Sequence, residues 1–170
     1  MQTPKSKAKI IAVCVPVFII LTLLLYASIS ESYITGIYTV ETSESYDFPV
    51  GEYSDKDKEY ISENYNAYII LLTVRNNSLT DFEYIKVDDI KNEQVILNFS
   101  DGVSEYRAGV RPLSSKDYST TIYINKSIEN KEIYSVLENM GISGKLISYK
   151  LFSANENSHD INFEKSDGGR

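Results

Sequence analysis

The sequence predicts a mainly-β domain, an antiparallel β-sandwich with one late helix, carried behind a single membrane-spanning helix. Three observations predict it. Residues 10–29 form an apolar block without a charge; beyond it the apolar residues fall into short runs separated by turn residues; and one later stretch, near residues 128–140, changes to helical spacing. The rival architecture is an α+β roll, in which that helix covers one sheet face.

The anchor comes first in the chain. Ile10 to Ile29 contains 13 Ile, Leu, Val or Phe side chains in 20 residues. A helix of that length reaches about 30 Å, the thickness of a bilayer's hydrocarbon core. Each large apolar side chain contributes roughly −0.3 to −0.6 kcal/mol to insertion near the helix centre, which outweighs Thr22, Ser28 and Pro16. Lys5, Lys7 and Lys9 precede the block and no acidic residue appears before Glu31, so residues 1–9 are expected in the cytoplasm. Residues 10–30 then read as a transmembrane helix or signal anchor, residues 31–152 as an extracytoplasmic β-domain, and residues 153–170 as a polar flexible tail. The competing reading is a signal peptide cut after Ser30, which would release a secreted protein.

Within the domain, Ile34 to Val40 alternates and predicts a first strand. Glu41 to Asn66 is polar and reads as a long loop with a helical turn near Asp57–Ile61. Ala67 to Arg75 (AYIILLTVR) is apolar on both faces and predicts a central strand buried on both sides. Further strands are expected at Phe82–Val87, Val95–Phe99 and Tyr118–Asn125, with Asp101-Gly102 as a hairpin signal. Ile128, Ile133, Val136, Leu137 and Met140 fall at helical spacing, and Gly141 is placed to end that helix. Lys145 to Phe152 returns to strand alternation.

The run AYIILLTVRNNS resembles the hydrophobic strand followed by Asn and Ser found in small immunoglobulin-like domains of bacterial envelope proteins, and RPLSSKDYSTTIYIN is similar to their turn and following strand. The resemblance spans Tyr60 to Ser127. It implies an adhesive or regulatory role and carries over no catalytic residues.

Composition narrows the function. Setting aside Lys5, Lys7 and Lys9 leaves 14 basic against 24 acidic side chains, a net charge of −10 on the exported part. Phosphate backbones repel such a domain, which argues against nucleic acid, and the same charge argues against lying flat on anionic lipid. The one cysteine, Cys14, falls inside the apolar block, so no disulfide is expected in the domain. The one histidine, His159, falls in the expected tail, away from any predicted strand, and offers no general base. One cysteine and one histidine cannot assemble an ordinary zinc site, and Gly141-Ile-Ser-Gly144 lacks the lysine of a phosphate loop. Asp88-Asp89 and Asp101 to Glu105 are carboxylates able to hold calcium, but without the spacing of an EF-hand. No catalytic, cofactor or metal residue is assigned. Tyr33, Tyr38, Tyr46, Tyr53, Tyr60, Tyr65 and Tyr68 cluster early and could stack on a sugar or a partner, against the simpler role of packing. Asn76, Asn98 and Asn125 each open an Asn-x-Ser triplet, a glycosylation signal only in a eukaryotic exported protein. The wealth of Lys, Asn, Ile and Tyr resembles the usage of an AT-rich bacterium. The expected function is an envelope binding module that meets a protein partner. The alternatives are an accessory subunit of a membrane complex and an enzyme acting on envelope polymers.

Overall fold

Twelve consecutive residues, Tyr65–Asn76, form the strand around which the rest is arranged. The computed structural model describes residues 15–22, 34–43, 45–48, 53–99, 106–149 and 156–166. In chain order the elements are β1 (Ile34–Thr42), α1 (Asp55–Asn64), β2 (Tyr65–Asn76), β3 (Tyr84–Val87), β4 (Ile90–Lys91), β5 (Val95–Leu97), β6 (Arg107–Ala108), β7 (Ser114–Asn125), α2 (Ile133–Met140), β8 (Ile142–Tyr149) and β9 (Glu156–Lys165). The strands make one nine-stranded sheet, ordered β4-β5-β7-β2-β1-β9-β8-β3-β6 and curled into a half-barrel. The mainly-β expectation therefore holds, but one continuous sheet stands where two packed sheets were expected. Its pairs are antiparallel except β1 with β9, which run parallel from Gly36↔Phe163 to Tyr38↔Lys165.

Strand parity assigns the side chains to faces. Tyr68, Ile70, Leu72 and Val74 of β2 point to the concave side with Tyr38 of β1 and Tyr118, Ile122 and Ile124 of β7. The curl brings Ile85, Val95, Leu97, Leu146, Ile161 and Phe163 into the same core. Helix α2 fills the hollow. Its Ile133 and Leu137, one turn apart, are buried there, and Gly141 ends it with a φ of 71° while its N–H donates to the Leu137 carbonyl at 3.0 Å. The helix starts later than the spacing suggests, because Ile128 is held in a turn by its N–H to the Asn125 carbonyl. In this respect the molecule is closer to the rival roll. On the convex side a smaller cluster gathers Ile61, Tyr65, Ala67, Ile96 and Tyr123. Beyond Ala67 that face loses its cover, and Ile69 is 40% exposed, so β2 is central but not buried on both faces throughout.

Side chains close the seam between β6 and β7 where no ladder does. Arg107 Nη1 donates to the Ser119 carbonyl at 2.8 Å, while Lys116 Nζ and the Tyr118 hydroxyl each donate to the Ala108 carbonyl at 2.9 Å. The Arg107 guanidinium also lies 4.2 Å from the centre of the Phe99 ring. Gly109 follows at a close backbone approach, where a Cβ would stand 2.0 Å from the Phe82 carbonyl oxygen.

The tail expectation is corrected. Residues 156–165 form β9, paired on one side with β8 and on the other with β1. Ile161 and Phe163 supply its apolar face, His159 is half-buried, and the polar residues Asn157, Ser158, Asp160, Asn162, Glu164 and Lys165 meet solvent. His159 thus belongs to a strand, opposite Leu146, and not to a solvated tail. Residues 15–22 of the expected anchor are helical with exposed apolar side chains, Phe18 among them. No helix among the described residues is long and apolar enough to cross a membrane, and 10–14 and 23–30 of the expected span lie outside those residues. Cys14, Tyr33, Asp101, Gly102 and Glu105 also lie outside them.

Two outcomes test the core. Leu137→Ala should lower stability by about 2–5 kcal/mol, because the helix cannot follow the lost side chain into a sheet-lined hollow; chemical denaturation followed by tyrosine fluorescence measures it. Burial raises the phenol pKa of Tyr118 and Tyr38, the latter helped by Glu138 and Tyr134. A raised phenol pKa stabilises the native state fully below about pH 10, the value of an unfolded tyrosine. Stability should therefore fall as pH rises above that value, and a tyrosinate absorbance titration should show these two ionising only as the sheet opens.

Candidate binding cleft

Helix α1 builds the site at the end of the sheet where β2 begins. Ser54 starts the helix with a capping box: its hydroxyl accepts from the Asp57 N–H at 3.3 Å, and its own N–H donates to Asp57 Oδ2 at 3.2 Å. The other end is held by Lys126, whose Nζ donates to the carbonyls of Ser62 at 3.0 Å and Glu63 at 2.7 Å. One residue of α1, Ile61, is buried, so the helix lies on the convex face by a single apolar point flanked by tyrosines. Residues 45–48 fold over the same face. Phe48 stacks on Tyr123 with ring centres 5.3 Å apart, Tyr53 meets Phe48 edge-on at 5.6 Å, and the Tyr46 hydroxyl donates to the Tyr65 carbonyl at 2.6 Å.

Between α1 and the β4–β5 turn lies an open cleft of about 340 Å³. Ile61 and Ile96 line its apolar base, Tyr53, Tyr60 and Tyr65 its aromatic walls, and Asp57, Lys91, Asn92 and Glu93 its polar rim. Tyr65 is buried and donates its hydroxyl to the Glu93 carbonyl at 3.2 Å, whereas Tyr60 stands edge-on to it at 6.2 Å and is 58% exposed. Asn92 shapes the rim by accepting the N–H groups of Gln94 at 2.8 Å and Val95 at 2.7 Å. The Ser54 hydroxyl and N–H, with a smaller effect of Lys91, hold the Asp57 carboxyl below its ordinary range. It is therefore a hydrogen-bond acceptor and carries no proton to donate, the reverse of the raised carboxylate that a glycosidase acid needs. The cleft can stack a flat or aliphatic group on tyrosine and anchor its polar edge by Lys91, Asp57 or Glu93.

The early tyrosines therefore divide. Tyr53, Tyr60 and Tyr65 come together in the cleft, Tyr46 braces its neighbour Tyr65, and Tyr38 and Tyr68 go to the concave core. Sequence showed the enrichment but not the division, which follows from β2 parity: Tyr65 and Tyr68 lie three residues apart and face opposite ways. Nothing in the sequence pattern marked Lys91, Asn92 or Glu93 as part of a site.

The other candidates have structural roles. Asp88 Oδ2 accepts the Ser143 hydroxyl at 2.8 Å and Asp89 Oδ1 accepts the Phe99 N–H at 3.1 Å, and no cluster of three potential metal ligands occurs among the described residues. Asn76 is buried, and its Oδ1 accepts both the N–H at 3.0 Å and the hydroxyl at 2.6 Å of Ser78. Asn125 holds Ser127 in the same way, at 2.9 and 2.8 Å. These triplets end strands. A second cavity of about 360 Å³ lies at the opposite end of the sheet, where Ser78, Thr80, Ser148, Ser158 and His159 surround it beside Phe82. Among the described residues no serine hydrogen bond orients His159; its ring sits 6.2 Å from that of Phe82.

Ser54→Ala should fray α1 and accelerate amide hydrogen exchange across residues 55–64, while β2 and β7 exchange as before. The depressed Asp57 carboxyl sets the sign with pH: its support of the cap is present above about pH 4 and is lost as pH falls through the lower native value. Comparison with known proteins finds no matching family model, no similar curated protein and no similar solved structure.

Proposed function

We propose that the chain is a binding module without catalysis of its own, anchored in the cytoplasmic membrane through residues 10–30 and holding its β-domain outside. The observation that carries the binding reading is the cleft: Tyr60 stands exposed beside the buried apolar pair Ile61 and Ile96, inside a rim of charge. An exposed tyrosine beside an apolar base within a charged rim is the composition of a recognition site. The occupant that fits is an envelope protein segment offering one apolar side chain beside a polar or basic group, since Asp57 and Glu93 outnumber Lys91. Support for the anchor comes from the charge-free run, the lysines before it and the exposed apolar side chains of residues 15–22.

A photo-crosslinking amino acid at position 60 of the membrane-bound chain should capture one discrete envelope partner. Tyr60→Ala should weaken that interaction about tenfold, the usual effect of removing an aromatic anchor, with an unchanged melting temperature. Equal binding by the Ala variant would discard the cleft as the site. For the anchor, a C-terminal tag should stay with the membrane fraction and disappear when intact protoplasts meet protease.

A further inference from the structure

Resting on the anchor reading, we infer that the end of the half-barrel opposite the cleft is a membrane-contact surface, with Leu79 and Leu113 seated in the headgroup layer of the bilayer that anchors the chain. The first argument is reach. The apolar run ends at Ile29 and β1 begins at Ile34, so the sheet starts within about 17 Å of the hydrocarbon edge even with the link fully extended. Headgroups occupy roughly 6 Å or more of that distance. Whatever lies beside Ile34 is therefore no more than about 11 Å above the headgroups, close enough to touch them.

What lies beside Ile34 is apolar and exposed. Ile34 pairs with Asn76, and Asn76 pairs with Ser114, so the turns after β2 and before β7 share this end. They present Leu79, 46% exposed, and Leu113, 64% exposed. The two turns are joined by the Leu113 N–H, which donates to the Ser78 carbonyl at 3.2 Å. The buried Asn76 amide adds bonds to the carbonyls of Thr80 at 2.8 Å and Arg111 at 3.1 Å. The leucines thus stand on a braced platform.

The second argument is the choice of residue. Leu113 has a φ of 53°, a backbone conformation that glycine or asparagine adopts at lower cost. Its side chain contributes little to the core and is penalised by water. Neither the turn nor the packing accounts for a leucine there; an apolar medium outside the domain does. Exposed Arg75 and Arg111 flank the platform, and exposed Asp81 and Glu83 offset them. The contact is thus apolar insertion into neutral or zwitterionic lipid, made end-on, and it leaves the acidic flanks of the domain clear of the surface.

The test uses the full chain with Cys14→Ser and an environment-sensitive fluorophore on Leu79→Cys or on Tyr60→Cys. The chain is reconstituted in phosphatidylcholine vesicles carrying nitroxide-labelled lipid at headgroup depth. The label at position 79 should be quenched several-fold more than the label at position 60. Adding Leu113→Asn should at least halve the quenching at 79 while the melting temperature holds or rises. Equal, weak quenching at both positions in protein that floats with the vesicles would overturn the membrane contact and leave the anchor standing. Protein that does not float would remove the anchor, and this contact with it. A fall in melting temperature with Leu113→Asn would make Leu113 a packing residue and count against the proposal.

Discussion

The full-length pairing of β2 with both neighbours is the constraint on which the rest of the structure depends. Every residue of Tyr65–Asn76 is matched to one of Ser114–Asn125, and Ile34–Thr42 covers most of the other edge. Register in such a ladder is a two-valued choice, since a slip of one residue would turn Tyr68, Ile70, Leu72 and Val74 out of the hollow that α2 fills. The same choice decides which tyrosines reach the convex face. The core and the cleft are thus two readings of one alignment. Substitutions that disturb the concave packing should be felt at the cleft through β2 itself, without any intervening contact.

The ends of this ladder are fixed by one local device used twice. Asn76 closes β2 at one end and Asn125 closes β7 at the other, each by accepting the N–H and hydroxyl of the serine two residues on. The two triplets therefore mark opposite ends of a ladder roughly 37 Å long. At the Asn125 end, Lys126 caps α1 and the β4–β5 turn forms the rim of the cleft. At the Asn76 end, the buried amide ties together the turns that carry Leu79 and Leu113. A polar side chain buried this completely is stable because its amide and carbonyl oxygen both have partners.

Much of this order was legible in the sequence and some was not, for identifiable reasons. AYIILLTVR announced a central strand because two apolar faces require cover on both sides. Ile133, Leu137 and Gly141 announced α2 because spacing and terminator agreed. β7 begins earlier than its apolar pattern, since Ser115, Asp117 and Ser119 face solvent and carry no alternation of their own. β9 was hidden for the same reason: only Ile161 and Phe163 report its buried face. Periodicity finds strands but is silent on their partners, so the parallel join of β1 to β9, which makes one sheet of what could have been two, had no signal. The cleft was half visible, as an excess of tyrosine without an address.

The direction in which β1 runs has a mechanical consequence. The chain enters the sheet at Ile34, at one end of the ladder, and the cleft lies at the other. A partner pulling on the cleft against a tether at Ile34 would load β1 along its own axis. Its registered pairs with β2, from Ile34↔Asn76 to Thr42↔Tyr68, would then have to shear together and could not open one at a time like a zipper. Rupture by shear strains many hydrogen bonds at once and needs far more force than peeling. Were the chain tethered at Ile34 and loaded at the cleft, this arrangement would let the domain hold under tension.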